Sequence, residues 1–464
     1  MFIHLGGGPD SVCFRAPGRP IFSARSVEQC WKGSVVPLSK VKLSPVQSGP
    51  FEAEITSMGA QGDGLGRTAD DHPVFASFTL PGESVRLEAK EGRAELVEVL
   101  RASPDRIGPS CPHFLTCGGC ALQHWSHGPY LTWKEDKVRQ ALSREGLTGE
   151  FAPPFAAPAG SRRRVALHAR KGSRDAARLG YKARRSWTLV EIAACPITDP
   201  RLVAVFPALK RLAAPLFEHP KSAPTLHCTL TGTGIDVDIT GVESKSGGLS
   251  ADARVRVAEA AAAADLARIT LAGEILYQAR QPLVRLGPAS AALPPGGFLQ
   301  AVPAAEEAMA AFALEAVRGA GRIADLFCGL GTFTFRLATI APVIAADSDA
   351  AAVRALTAAS GTAPGLKSIR AEARDLYRRP VLAQELKNID AVLFDPPRAG
   401  AEAQARQIAA SNASVVVGVS CDANTFARDG AILGEAGFRL ERVMVVDQFL
   451  WSAHVELVGV FRRQ

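Results

Sequence analysis

From Pro303 onward the chain alternates helix-like and strand-like segments, and three short apolar runs each end in a carboxylate. Ile323-Ala324-Asp325, Pro342-Val343-Ile344-Ala345-Ala346-Asp347 and Ala391-Val392-Leu393-Phe394-Asp395 read as buried strands, the first preceded by a helix from Ala304 to Arg318. This alternation predicts an α/β domain built on a doubly wound parallel sheet. Open sheets of that kind bind ligands beyond the C-terminal ends of their strands, so the pattern also says where chemistry should sit. A fourth apolar run, Ser414 to Val419, leads into Ser420-Cys421 and the polar turn Asp422-Ala423-Asn424, which brings one thiol to that edge. A thiol there reads as a nucleophile, with a small core residue as the alternative.

The turn after the first of these strands is Asp325-Leu326-Phe327-Cys328-Gly329-Leu330-Gly331-Thr332-Phe333. Its two glycines let backbone approach a nucleotide-like ligand, and Asp347, roughly twenty residues on, is placed to take the hydroxyls of a ribose. Phe333 stands where a dinucleotide fingerprint has its third glycine. The turn therefore suits S-adenosylmethionine, which carries no phosphate, better than NAD. The third strand runs into Asp395-Pro396-Pro397-Arg398, where two prolines stiffen the loop and hold the carboxylate at the sheet edge. An aromatic after the prolines would suggest methylation of an exocyclic amine. Arg398 in its place shifts weight to Cys421.

The 464 residues suggest several domains. Residues 1–48 carry glycines and prolines without a sustained period and read as a loose tail or an overlong start. Residues 49–106 show short alternating runs and a glycine-rich hairpin, the pattern of an OB-like β-barrel, a module that often holds RNA. In 107–290, an α+β central domain, Cys111, Cys117, Cys120 and the distant Cys195 make a complete tetrathiolate set. Three clustered cysteines with a remote fourth favour an iron–sulfur cluster, with zinc as the competing metal. Arg162-Arg163-Arg164 and Arg184-Arg185 beside Trp187 suit RNA or a solvated face; His227 and Cys228 read as ordinary strand residues. Residues 291–464 form the catalytic domain. A net charge of +7 suits a polyanionic partner. No apolar stretch is long enough to span a bilayer and no secretory start is seen, so no membrane association and a cytoplasmic location are expected.

Taken together, Cys111 through Cys120 with Cys195, Phe298-Leu299-Gln300, Asp325 through Gly331, Phe394 through Gly400, Ser420-Cys421, and Asp447-Gln448-Phe449 leading to His454-Val455-Glu456 resemble the RNA 5-methyluridine methyltransferase family. The likeness is greatest to the branch that modifies 23S ribosomal RNA, and it covers about residues 50 to 464. It implies an N-terminal TRAM barrel, a central domain with a 4Fe–4S cluster on Cys111, Cys117, Cys120 and Cys195, and a Rossmann-like catalytic domain. It further implies Cys421 as nucleophile and Glu456 as base, with Gln300, Phe327, Asp347 and Asp395 binding S-adenosylmethionine. The chain departs from the family pattern at Val302, where asparagine is usual, and at Phe449-Leu450-Trp451-Ser452, where the family has Phe-Pro-x-Thr.

The implied reaction explains the thiol. C5 of uracil is electron-poor, and a thiolate added at C6 makes it nucleophilic enough to take a methyl group. The carboxylate that then removes the C5 proton needs a desolvated site to raise its basicity. The target base must also be flipped or unpaired. The expected partner is RNA, with 23S rRNA favoured over the T-loop uridine of tRNA, and no obligate protein partner is implied. The alternative of another class is a non-catalytic RNA-binding iron–sulfur protein.

Overall fold

The computed structural model describes residues 49–464 apart from 91, 92, 174 and 246, so the loose tail expected at 1–48 lies outside the described residues. Two compact units are present, one of residues 49–57 and 64–102, the other of 58–63 and 103–464.

The first unit is built on a closed barrel of β1 (Pro50–Met58), β2 (Asp63–Thr68), β3 (Pro73–Ser77), β4 (Ser84–Lys90) and β5 (Arg93–Arg101), in the order β1-β2-β3-β5-β4. Strict alternation fills it: Ala53 and Ile55 from β1 meet Val85 and Leu87 from β4, with Ala53 paired directly to Val85. Closure leaves no open sheet edge. The glycine-rich hairpin has a packing cause, because a Cβ at Gly64 would lie 2.1 Å from Thr79 Oγ1 and one at Gly66 would lie 2.2 Å from the Glu54 carbonyl. The barrel fits an OB- or TRAM-like module.

The second unit begins with α1 (His127–Arg144) and β6 (Glu150–Ala156). A seven-stranded sheet follows, made of β7 (Arg164–Arg170), β8 (Arg178–Lys182), β9 (Leu189–Glu191), β10 (Thr225–Thr231), β11 (Gly234–Thr240), β12 (Arg268–Leu271) and β13 (Glu274–Gln278), in the order β13-β12-β11-β10-β7-β8-β9. Leu167, Leu226 and Val237 pack there with Leu209, Leu212 and Val257 from its helices α2 (Pro200–Ala204), α3 (Phe206–Ala213) and α4 (Ala251–Ala263). Cys228 is buried in this core, and His227 Nε2 bonds Thr240 Oγ1 at 3.0 Å, so both are satisfied strand residues.

After the hairpin β14 (Leu283–Leu286) and β15 (Ala289–Ala292) come α5 (Pro303–Ala316), β16 (Ile323–Leu326), α6 (Thr334–Leu337), β17 (Val343–Asp347), α7 (Ala350–Ser360), β18 (Ile369–Ala373), β19 (Ala391–Phe394), α8 (Glu402–Ala409), β20 (Val415–Ser420), α9 (Ala423–Glu435), β21 (Phe438–Asp447) and β22 (Glu456–Arg463). Their eight-stranded sheet runs β18-β17-β16-β19-β20-β22-β21-β6. The first five strands are parallel, and β16, β19 and β20 are buried along their whole length. The all-parallel expectation fails at the end of the chain: β22 inserts between β20 and β21, antiparallel to both. The short link between β21 and β22 leaves no room for a crossover helix, and only an antiparallel return fits. The far edge is closed by β6, parallel to β21, so a strand from 150–156 completes a sheet whose other members all follow residue 291. Among the described residues no helix is long and apolar enough to cross a membrane.

Candidate active site

Cys421 lies between the buried end of β20 and the first turn of α9. Asp422 caps that helix, its Oδ1 accepting from the Asn424 and Thr425 amides at 3.0 and 3.4 Å, while the Asp422 amide donates to Ser420 Oγ at 3.1 Å. These bonds hold the thiol in one place. The β20–β22 register ends with Ser420 paired to Leu457, and Cys421, the next residue, is close enough to Glu456 to feel its charge.

A helix N-terminus favours a thiolate, yet here the Cys421 thiol is pushed up to about 11 by burial, by Glu456 and by Asp395. Glu456 is only 4% exposed, and burial with the nearby Asp395 raises it to about 8 against the pull of a hydrogen bond from Gln448. Asp395 rises to about 7 by burial and by Asp347, and Asp325 to about 7 mainly by burial. Carboxyls gathered this densely make a site that a positively charged ligand stabilises.

A chain of amides joins these groups. Gln300 Nε2 donates to Asp395 Oδ2 at 3.2 Å, Gln448 Nε2 donates to Gln300 Oε1 at 2.8 Å and to Glu456 Oε2 at 2.7 Å, and Gln448 Oε1 accepts from the Ala301 amide at 3.1 Å. Gln448 thus links the residue expected to bind donor with the residue expected to act as base. In the sequence, the signal for Gln448 is its place immediately after a buried strand that ends in aspartate.

The glycine turn is built for close approach. Gly329 and Gly331 have φ of +52° and +96°, and Phe327, a non-glycine residue, is held at +62° with its ring centroid 5.7 Å from that of Tyr377. Asp347 Oδ2 accepts from the Gly329 amide at 2.9 Å and Oδ1 from the Asp349 amide at 2.8 Å, so this carboxylate already orients the loop. Thr334 Oγ1 donates to Asp325 Oδ2 at 2.5 Å, while Asp325 Oδ1 is buried without a hydrogen-bond partner among the described residues. A buried acceptor left over beside a glycine turn fits the ammonium end of an amino-acid-bearing donor.

The two departures from the family pattern have local accounts. Val302 is buried and precedes α5 without a side-chain cap. Leu450 and Trp451 lie in a loop anchored by α1. Lys134 Nζ meets Asp447 Oδ1 at 2.5 Å with both side chains fully buried, and Tyr130 Oη accepts from the Trp451 amide at 2.8 Å. The Trp451 carbonyl in turn accepts from the amides of Ala121 and Leu122. Arg163 is not a surface arginine: it is buried, with Nε donating to the Gln300 carbonyl at 3.0 Å and Nη2 paired to Glu306 at 2.5 Å. Of the triple arginine, at least this member positions Gln300 rather than RNA.

Cys111, Cys117, Cys120 and Cys195 line one cavity of about 380 Å³, together with His113, Gln123 and Tyr181. Burial raises Cys117 and pushes Cys120 up to about 12; Cys195 and Cys111 add to the rise at Cys117, and all three other cysteines add to it at Cys120. Among the described residues no three such ligands approach closely enough to share a single metal ion. Four sulfurs on a tetrahedral zinc would lie within about 3.8 Å of one another, given Zn–S near 2.3 Å. A cluster would bind each sulfur to a different iron and would draw on a wider set than a single zinc ion.

The fold and the site define a class, the Rossmann-like methyltransferases that take S-adenosylmethionine, here with a thiol at the sheet edge. Comparison narrows it. The family profile described as tRNA (Uracil-5-)-methyltransferase matches residues 292–464. An RNA methyltransferase of Caulobacter vibrioides, itself described as uncharacterized, is 63% identical over 410 residues, covering 88% of this chain and 99% of that one. The 23S rRNA (uracil(1939)-C(5))-methyltransferase RlmD of Halomonas elongata is 33% identical over 446 residues, covering 90% of each. The crystal structure of the Pyrococcus abyssi tRNA (uracil-54, C5)-methyltransferase in complex with S-adenosyl-L-homocysteine superposes with a TM-score of 0.68 at 23% identity, covering 89% of this chain and 99% of that one, a likeness of fold. The chain belongs to the RNA 5-methyluridine methyltransferase family, and it is an RNA (uracil-C5) methyltransferase.

Proposed function

We propose that the protein methylates C5 of one uridine in 23S ribosomal RNA, with Cys421 as nucleophile and Glu456 as base. The observation that supports the reading is a thiol just past the end of β20 that feels the buried carboxyl of Glu456 at the start of the neighbouring β22. The length-wide match to the ribosomal RNA enzyme of Halomonas elongata supports the ribosomal target. The fold shared with the archaeal tRNA enzyme keeps the T-loop uridine of tRNA as the second reading.

Cys421 Sγ gives up its proton to solvent and bonds to C6 of uracil, and the C5–C6 π pair moves to give an enolate on the C4 carbonyl oxygen. S-adenosylmethionine, held by Gln300, Phe327, Asp347 and Asp395, supplies an electrophilic methyl carbon. C5 takes that methyl as the carbon–sulfur bond of the donor breaks, and Glu456 then takes the C5 proton. The C6–S bond breaks and returns the thiolate of Cys421. Because Cys421 and Glu456 both hold protons tightly in the free protein, the positive charge of the donor beside Asp395 has a second use, since it favours the ionised forms of both.

The test is covalent capture on RNA carrying 5-fluorouridine, whose fluorine cannot be taken off as a proton is. An adduct stable to denaturation is expected with the intact protein and donor, and none with Cys421→Ala; turnover by Cys421→Ala would refute the mechanism. Mapping 5-methyluridine in a deletion strain separates the targets, with loss confined to tRNA overturning the ribosomal choice. Cys111, Cys117, Cys120 and Cys195 are assigned to a 4Fe–4S cluster that ties the 111–120 loop to the segment at 195. Iron content and visible absorption lost in Cys117→Ser test the assignment, and an iron-free, colourless intact protein purified without air would overturn it.

A further inference from the structure

Trp187 is 77% exposed, although tryptophan is among the side chains that gain most from burial. Its turn is hydrogen-bonded. It lies in the connection between β8 and β9, where the Ala183 amide donates to the Thr188 carbonyl at 2.8 Å and the Ser186 amide to the Ala183 carbonyl at 3.1 Å. Arg185 in the same turn is held at φ +53°. The turn is stitched to the cysteine loop, because the Gly118 amide donates to the Lys182 carbonyl at 2.9 Å and a Cβ at Gly118 would lie 2.8 Å from that oxygen.

One face of the indole carries the Lys182 ammonium, 3.7 Å from the ring centroid. Arg184 and Arg185 lie in the same turn, both paired to Asp63 at 3.0 and 2.5 Å, and Lys182 on the ring face is a third cation there. Trp187, Lys182 and Gly118 line a cavity of about 580 Å³ whose other wall includes Ser452 and His454. His454 lies two residues before Glu456, so the groove reaches the segment just ahead of β22.

We infer that Trp187 is a stacking platform for an unpaired nucleobase of the RNA, flanking the target uridine, with Lys182 and the paired arginines facing its phosphates. The inference rests on the proposed function for the identity of the RNA. An exposed aromatic with one face occupied by a cation, in a turn that also carries two arginines, matches a base on its π-face and a phosphate at its side. An apolar protein partner would not call for that charge.

The experiment uses the full chain and an RNA stem–loop that the intact protein methylates. Trp187→Ala should weaken RNA binding about fivefold to 150-fold, the range of one base–aromatic stack of ~1–3 kcal/mol, and Trp187→Phe should recover most of the affinity. Donor affinity, measured in parallel, should be unchanged and reports that the variant is folded. Abasic substitutions walked along the loop should reveal one position that weakens the intact protein and has no further effect on Trp187→Ala. RNA affinity within twofold of wild type for Trp187→Ala, or a loss coupled to no abasic position, would overturn the platform. The 5-fluorouridine adduct is read separately on the intact protein: an adduct with an indifferent Trp187→Ala removes this inference alone, whereas Trp187-dependent binding without an adduct removes the catalytic reading and leaves the platform.

Discussion

Glu456→Gln should make the protein more stable while abolishing turnover, and the gain should depend on pH in a stated direction. Glu456 is buried and its carboxyl rises from an ordinary 4.5 to about 8. Between those values the unfolded chain has released a proton that the folded chain still holds, so folded stability declines as pH rises through this window and is undiminished below it. At about 1.4 kcal/mol for each tenfold change in proton affinity, the carboxyl costs the fold on the order of 1 kcal/mol at pH 5 and 4 kcal/mol at pH 8. Glutamine keeps the volume, can still accept the hydrogen bond from Gln448 Nε2, and never ionises. The variant should therefore melt slightly above wild type at pH 5 and several degrees above it at pH 8, by scanning calorimetry on donor-free protein. An advantage that is absent at pH 8, or that shrinks between pH 5 and pH 8, would refute the reasoning.

Other perturbations test separate parts of the same site. Alkylation of Cys421 by iodoacetamide at neutral pH should be faster with S-adenosylmethionine bound than with S-adenosylhomocysteine, which lacks the positive charge, since Glu456 and Asp395 are what hold the thiol up besides burial; equal rates would show that the charge does not reach the thiol. Lys134→Met strips the fully buried partner of Asp447, and the stranded carboxylate should lower stability by about 3–5 kcal/mol in urea titrations, with much of the loss restored by adding Asp447→Leu. Gly331→Ala adds a Cβ 2.6 Å from the Phe335 ring at φ +96°, so calorimetric affinity for S-adenosylmethionine should fall about tenfold or more, the backbone strain alone being ~1–2 kcal/mol.

Much of the site was legible because its residues sit at strand ends, where local pattern is strongest. The strand Ala391–Phe394 and the run into Cys421 could be read from apolar residues followed by a polar turn. What stayed hidden depends on partners distant in sequence. Lys134 is an ordinary helix lysine until Asp447 meets it 313 positions away, and Gln448 becomes a hub only when Gln300 and Glu456 converge on it. Strand direction was equally hidden, since β22 is apolar whichever way it runs, and the informative signal was the short link before it. Arg163 misled for the opposite reason: a run of three arginines suggests a wet surface, and only Glu306 and the Gln300 carbonyl reveal a buried one.

The strand β6 has a practical consequence for anyone dividing this protein. A fragment beginning at residue 291 would contain every proposed catalytic group and the whole glycine turn, yet β21 would lose the neighbour that covers its outer side. Its backbone donors and acceptors would then form a bare edge on a highly apolar strand, the kind of surface that recruits other chains and precipitates. The same pairing spans nearly three hundred residues, and contacts of such long loop closure form slowly. Isolated expression of the C-terminal part should therefore yield aggregates, and a fragment that starts ahead of α1 should be the shortest that stays in solution.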